Sequence, residues 1–293
     1  MAGFKGAGVA LVTPFNEDGS VNYEVLTTLI EEQIAGGTDA IIACGTTGEA
    51  STMSEEEHMD VVKFIIDKVA HRIPVIAGTG SNCTETAIKL SRRAEKDGAD
   101  GVLLVTPYYN KATQQGLIRH FTAIAEAISI DCILYNVPSR TGVTIMPETM
   151  AYLYKNVKNI IGVKDATGNV SMSSKLMTLV DDDFLLYSGN DDEIVPLLSI
   201  GGSGVISVLS NVAPRETAEI CRKWFAGDVK GAMKEQLRAY ALVQALFKEV
   251  NPIPVKAAMN ILGKNTGSLR LPLTEDTEET KALLEKELRA YGL

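Results

Sequence analysis

The chain has 293 residues, 45% of them hydrophobic, with 28 basic against 37 acidic side chains and a formal charge of −9. That acidic balance argues against a nucleic-acid or anionic-membrane partner, and no stretch approaches the ~18 apolar residues of a membrane span. No apolar run opens the chain at Met1-Ala2-Gly3-Phe4-Lys5-Gly6, so no leader is expected. The four cysteines (Cys44, Cys83, Cys132, Cys221) stand apart, as buried thiols in a reducing cytoplasm would. His58, His71 and His120 have no metal-site spacing. The expectation is a soluble, cytoplasmic, metal-independent protein.

Short apolar runs then alternate with amphipathic segments. Gly8 to Val12 reads as a first strand, closed by Thr13-Pro14. A helix follows over Asn22 to Ala35, with Leu26, Leu29, Ile30 and Ile34 at helical spacing and Gly36-Gly37 as the stop. Ala40 to Cys44 is strand two, and Ser54-Glu55-Glu56-Glu57 has the form of a capping box opening the next helix. Strand three is Pro74 to Ala77, and a helix runs from Thr84 to Asp97. Gly101 to Val105 and Cys132 to Tyr135 are strands four and five, separated by a helix from Thr113 to Ile128. Pro147 opens a helix at a first-turn position. Ile160 to Lys164 is strand six, with a helix around Ser174 to Val180. Phe184 to Tyr187 is strand seven, Asp191 to Ile200 a short helix, and Val205 to Val208 strand eight.

Eight strands alternating with helices predict an α/β fold, a (β/α)8 TIM barrel. The rival, an open doubly wound sheet, lacks a G-x-G-x-x-G after its first strand. From Pro214 onward only helices are expected: one carrying Ile220, Trp224 and Phe225, then Met233 to Phe247, Pro254 to Leu262 and Glu278 to Tyr291. The division is a barrel catalytic domain over 1–213 and a C-terminal α-helical extension over 214–293 that packs on the barrel or builds an oligomer.

Function in such a barrel gathers where the strands end at the carboxyl face. Strand six ends in Gly162-Val163-Lys164-Asp165. Strict alternation turns Ile161 and Val163 toward the helices and Ile160, Gly162 and Lys164 inward, the glycine making room beside the amine. Burial disfavours the ammonium and lowers its pKa, as an amine nucleophile requires. At the unperturbed value of ~10.4 only about one lysine in ~2500 is neutral at pH 7. The bland alternative is a lysine that bends to solvent or pairs with Asp165.

Strand two ends in Cys44-Gly45-Thr46-Thr47-Gly48-Glu49, a tight loop of amides and hydroxyls suited to a carboxylate or phosphate, or else an ordinary glycine turn. Strand five ends in Tyr135-Asn136-Val137-Pro138-Ser139-Arg140-Thr141-Gly142. Tyr135 shares a face with Ile133, from which a phenol could relay protons to a neighbouring amine or serve as a core ring. Arg140 suits bidentate carboxylate recognition, against the alternative of a surface arginine. Tyr108 and Tyr109 follow Pro107 in a loop that reads as an interface.

These four segments, together with Asn251-Pro252-Ile253-Pro254-Val255-Lys256, resemble the dihydrodipicolinate synthases, or 4-hydroxy-tetrahydrodipicolinate synthases, over nearly the whole chain and in family order. The wider superfamily of Schiff-base pyruvate lyases shares the loop, the tyrosine and the lysine; Arg140 separates the synthases from them. The resemblance implies a lyase of lysine and diaminopimelate biosynthesis, with pyruvate and L-aspartate 4-semialdehyde as substrates and no cofactor beyond a covalent imine with pyruvate. Lys164 would form that imine. Tyr135 would relay protons through Thr46 to Tyr109 of a neighbouring subunit. Thr47, in the loop begun by Gly45, would hold the pyruvate carboxylate, Arg140 the carboxylate of the aldehyde, and Ile206 would supply a backbone contact. The implied assembly is a homotetramer, a dimer of dimers.

The resemblance also implies an effector site for lysine at Ala50, Ser51, Glu55, His58, Asn82, Thr86 and Tyr108. Ala50 stands where the inhibitable pattern often has serine, Glu55 where it often has histidine, and Thr86 where it often has glutamate, so weak or absent inhibition is expected. The rival readings are a related Schiff-base aldolase, such as N-acetylneuraminate lyase or a keto-deoxy-sugar acid aldolase, and a non-catalytic ligand-binding barrel. A metal-dependent aldolase would need a histidine-carboxylate cluster at the strand ends.

Overall fold

A computed structural model describes residues 3–293; Met1 and Ala2, which open the N-terminal stretch discussed above, lie outside the described residues. The elements follow in order as β1 (Gly6–Ala10), α1 (Tyr23–Gly36), β2 (Ala40–Ala43), α2 (Glu55–Val69), β3 (Val75–Gly78), α3 (Thr84–Asp97), β4 (Gly101–Val105) and α4 (Gln114–Ala125). Then come β5 (Asp131–Asn136), α5 (Pro138–Thr141), α6 (Pro147–Asn156), β6 (Ile160–Asp165), α7 (Val170–Met177), β7 (Leu185–Ser188), α8 (Ile194–Leu198) and β8 (Gly204–Ser207). Four helices complete the chain: α9 (Pro214–Phe225), α10 (Val229–Leu246), α11 (Ile253–Ile261) and α12 (Glu278–Tyr291). The eight strands pair in sequence order, all parallel, and β8 closes on β1. The predicted (β/α)8 barrel is the fold.

Capping side chains explain where several helices begin. Asn22, Ser54 and Thr113 each accept a backbone N–H from the first turn of α1, α2 and α4. Asn169 does the same for α7 by accepting from Met172 N at 3.0 Å, so that helix starts four residues before the expected one around Ser174. The expected helix over Asp191 to Ile200 is divided into a 3-10 turn over Asp191–Glu193 and α8. The short α5 was not expected; Pro138 opens it and Gly142, at φ 69°, ends it.

Two apolar layers result. Inside the barrel pack Ile42, Ile76, Leu103, Ile133, Tyr135, Tyr187 and Ile206, with Phe4 stacked on Tyr187 at 4.4 Å. A larger layer lies between strands and helices, with Val9, Ile41, Leu104, Leu134 and Val163 facing α-helical residues such as Ile30, Val62, Phe121 and Leu153. α9 packs on β1, β8, α1 and α8, and α10 packs in turn on α9 and α12.

Strict alternation fails at the start of β6. Cys132 pairs with Ile160 but Ile133 with Gly162, so Ile161 is an extra residue without a partner on β5. The bulge puts Ile160 in the outer layer and Ile161 against the barrel interior, the reverse of the expectation for both. Beyond it the alternation resumes, with Val163 outward and Lys164 opposite Tyr135. Gly162 has a different reason from the one expected. A Cβ there would lie 2.0 Å from the Leu185 carbonyl oxygen of β7, so the glycine admits a neighbouring strand rather than making room for the amine.

All four cysteines are free thiols, with Cys44, Cys132 and Cys221 buried and Cys83 exposed. Among the described residues, no helix is long and apolar enough to cross a membrane, and no group of three or more His, Cys, Asp or Glu side chains could hold a metal ion.

Candidate active site

β6 carries Lys164 to the carboxyl end of the barrel and leaves it 5% exposed. Its Nζ lies 4.4 Å from the centroid of the Tyr135 ring, its register partner on β5. Burial pulls the Lys164 pKa down to about 8, Arg140 adding to the shift and Asp191 opposing it more strongly. The ammonium does not pair with Asp165: that carboxylate turns away, accepting from Thr167 N at 2.9 Å and from the Ser173 hydroxyl. Burial likewise pushes the Tyr135 phenol up to about 12, with Arg140 pulling the other way. A neutral amine and a protonated phenol on adjacent strands are the forms needed for addition to a carbonyl with proton return.

Around this pair opens a cleft of about 530 Å³ lined by Gly45, Thr46, Thr47, Tyr135, Arg140 and Lys164. Thr46 and Thr47 reach it because the loop after β2 turns sharply, with left-handed backbone at Cys44 (φ 51°) and Glu49 (φ 56°). Gly48 packs so closely that an added Cβ would meet Cys44 Cα and Leu11 O at 3.0 Å. Arg140 comes from α5, and its Nη2 donates to the Asn251 carbonyl at 2.9 Å. Ile206 lies inside the barrel beneath this face, fully buried among the inner apolar side chains.

The same cleft continues past Ala50, Ser51, Glu55, His58, Asn82, Thr86 and Tyr108, so residues of the expected effector site and of the expected catalytic site line one cleft. Glu55 is occupied by Lys89, whose Nζ lies 2.7 Å away. His58 is buried, which lowers its pKa, and among the described residues its Nε2 has no hydrogen-bond partner. Tyr109 does not join the cleft. It stands 92% exposed on a left-handed backbone (φ 70°), and among the described residues no hydrogen bond connects it to Thr46 or Tyr135.

Three further groups were given no role at the site from sequence, although Asn251 and Lys256 bound a segment that carries the resemblance. Asp191 lies just beyond β7, fully buried; its Oδ2 accepts from Val208 N and Leu209 N at 2.9 Å each. Burial raises its pKa, against a hydrogen bond with the Ser207 side chain, the two backbone hydrogen bonds and Lys164. Its position after a strand end was the available signal. Asn251 donates from Nδ2 to Thr47 Oγ1 at 3.0 Å, and Lys256 forms a buried ion pair with Glu49 at 2.8 Å. Nothing local in the sequence places those two beside a loop two hundred residues earlier.

The sequence pattern of the Dihydrodipicolinate synthetase family matches residues 3–291. The chain belongs to that family. A 4-hydroxy-tetrahydrodipicolinate synthase of Lachnoclostridium phytofermentans is 55% identical to it over 293 residues, covering 100% of both chains. The dihydrodipicolinate synthase of Aquifex aeolicus superposes with a TM-score of 0.97 at 45% identity, covering 99% of each chain. A chloride-inhibited dihydrodipicolinate synthase from Acinetobacter baumannii, solved in complex with pyruvate, superposes with a TM-score of 0.96 at 45% identity, again over 99% of each chain. Full-length agreement at this level leaves no segment of this family member, barrel or extension, without a counterpart.

Proposed function

We infer that this chain catalyses the 4-hydroxy-tetrahydrodipicolinate synthase reaction, condensing pyruvate with L-aspartate 4-semialdehyde on the diaminopimelate route to L-lysine. The observation that carries the reading is the buried Lys164 amine against Tyr135, at the mouth of a barrel whose whole length matches that family. The Nζ lone pair attacks the pyruvate ketone carbon, and loss of water leaves an iminium. That cation draws electrons from the adjacent methyl group, a proton leaves, and an enamine forms. The enamine carbon attacks the aldehyde of the second substrate, whose oxygen takes up a proton. The substrate's own amine then displaces Lys164 and closes the ring. The iminium is itself the electron sink, so the scheme requires no metal or cofactor.

The residue roles are part of the proposal. Tyr135 returns and removes protons beside Nζ. Thr46 passes them toward Tyr109 of a neighbouring subunit, a role supported by the 92% exposure of Tyr109 in a single chain. Thr47, with the amides from Gly45 onward, holds the pyruvate carboxylate, and Arg140 holds that of the aldehyde at the entrance. Ile206 lines the barrel floor and offers its backbone. The working unit is a homotetramer built from dimers, acting in the cytoplasm. We also propose 1–213 as the catalytic unit and 214–293 as the extension that closes it, α9 covering the last barrel strand.

Borohydride reduction in the presence of pyruvate, followed by mass spectrometry, tests the chemistry. A pyruvate-sized adduct on Lys164 is expected, and its absence would falsify this assignment.

A further inference from the structure

A buried pair of opposite charges lies outside the groups given a catalytic role above. Lys256, on α11, and Glu49, at the end of the loop after β2, have side chains 1% and 0% exposed. Lys256 Nζ donates to Glu49 Oε1 at 2.8 Å, Ser268 O at 2.8 Å and Thr13 O at 3.1 Å, and lies 4.3 Å from the Phe15 ring centroid. All three ammonium hydrogens are therefore used. The other carboxylate oxygen of Glu49 accepts from Arg270 N at 3.2 Å.

Two more bonds hold the same loop. Thr13 Oγ1 donates to Gly48 O at 2.7 Å, and Asn251 Nδ2 donates to Thr47 Oγ1 at 3.0 Å. Asn251 also supplies the carbonyl that receives Arg140. The α11 segment thus grips both ends of one short stretch, at Thr47 through Asn251 and at Glu49 through Lys256. A buried ion pair is a weak means to stability, since desolvation opposes it and apolar replacements often do as well. What a fully satisfied pair does supply is one permitted geometry, here for a loop that includes left-handed Glu49.

We propose that the Lys256–Glu49 pair positions the Thr46-Thr47 hydroxyls and the loop amides for the carboxylate of the keto acid, so that the C-terminal helices set pyruvate affinity. This rests on the role given to Thr47 in the proposed function. Lys256 and Glu49 touch no substrate; they are positioning residues. Loosening the loop weakens carboxylate binding while leaving the Lys164 amine, on β6, able to form its imine.

The test compares the full-length enzyme with Glu49→Gln, Lys256→Met and the double variant Glu49→Gln/Lys256→Gln, which removes both buried charges and keeps polar side chains of similar length. In each variant that folds by circular dichroism, KM for pyruvate is expected to rise about tenfold or more, kcat to fall by a smaller factor, and borohydride trapping on Lys164 to reach the wild-type yield at saturating pyruvate. Should the single variants fail to fold, the double variant alone decides. Folded variants with lowered Tm but wild-type KM for pyruvate would overturn the proposal and leave the pair a structural brace. Loss of trapping at saturating pyruvate would also overturn it. Failure of the wild type itself to trap pyruvate on Lys164 would instead strike the proposed function, so the two failures are distinguishable.

Discussion

Lys164 Nζ sits 4.4 Å from the centroid of the Tyr135 ring, with the amine pulled down to about 8 and the phenol pushed up to about 12 by the same burial. Burial moves an acid and a base in opposite directions on the pH scale because it penalises whichever form is charged. Here it enriches the neutral amine while keeping the phenol protonated, so the two can exchange a proton without either starting as an ion.

The pH dependence of imine formation follows from that shift. A lysine of pKa 8 is about one-tenth neutral at pH 7, against one in thousands for a free side chain. The rate of pyruvate imine formation on Lys164, followed by rapid quench with borohydride, should rise about tenfold per pH unit below pH 7 and level off above about pH 8. A rise continuing unbroken to pH 10 would show that the amine is not depressed.

The same burial has a stability cost. A lysine with a folded pKa below its unfolded value destabilises the fold where both forms are charged, and the penalty fades as pH rises from about 8 to 10.5. Lys164→Met should therefore be inactive yet more stable than wild type at pH 7, by about 2 kcal/mol. Denaturant titrations at pH 7 and pH 10.5 check this: the advantage should shrink at the higher pH.

Arg140 is expected to choose the second substrate rather than to form the imine. Arg140→Ala should lower turnover with L-aspartate 4-semialdehyde by about 100-fold, the loss of roughly 2.7 kcal/mol of charge-assisted binding. Borohydride trapping of pyruvate should stay near the wild-type yield. An unchanged condensation rate would remove Arg140 from the site.

The proposed contribution of Tyr109 to a neighbouring subunit's site predicts subunit complementation. Tyr109 is 92% exposed in a single chain, so Tyr109→Phe should leave the fold of each subunit intact and lose about tenfold or more in kcat. Mixing Tyr109→Phe with Lys164→Ala subunits, after dissociation and reassembly, should restore about a quarter of wild-type activity, since half the pairs are mixed and one site in each is intact. No recovery in mixed assemblies would place Tyr109 in its own chain's site or outside it.

Inhibition by L-lysine should be weak at millimolar concentrations. The cleft wall at Ala50 and Thr86 carries no carboxylate for an incoming ammonium, and the Glu55 carboxylate already pairs with Lys89. Thr86→Glu should increase sensitivity in steady-state assays. Strong inhibition of the unmodified enzyme would refute this reading of the wall.

How far the sequence could be read depended on whether a signal was local. Alternation and helical periodicity arise within a few residues, so eight strands, their helices and the carboxyl-end positions of Lys164, Tyr135 and the Gly45-to-Glu49 loop were legible from the chain alone. Even there the reading failed at Ile160 and Ile161, because a bulge depends on how β5 and β6 pair and not on β6 by itself. Gly162 was read as space for an amine, whereas the backbone of β7 is what excludes a side chain there.

What the chain supplied by itself was a candidate chemistry, a lysine at the end of a buried strand whose ammonium burial disfavours. Tertiary structure decided which groups act on it. Asp191 approaches from the turn after β7, and Asn251 and Lys256 return from the C-terminal extension to hold Thr47 and Glu49. The last two pairings join residues 204 and 207 positions apart, and packing of the C-terminal extension on the closed barrel, not any local pattern, brings them together.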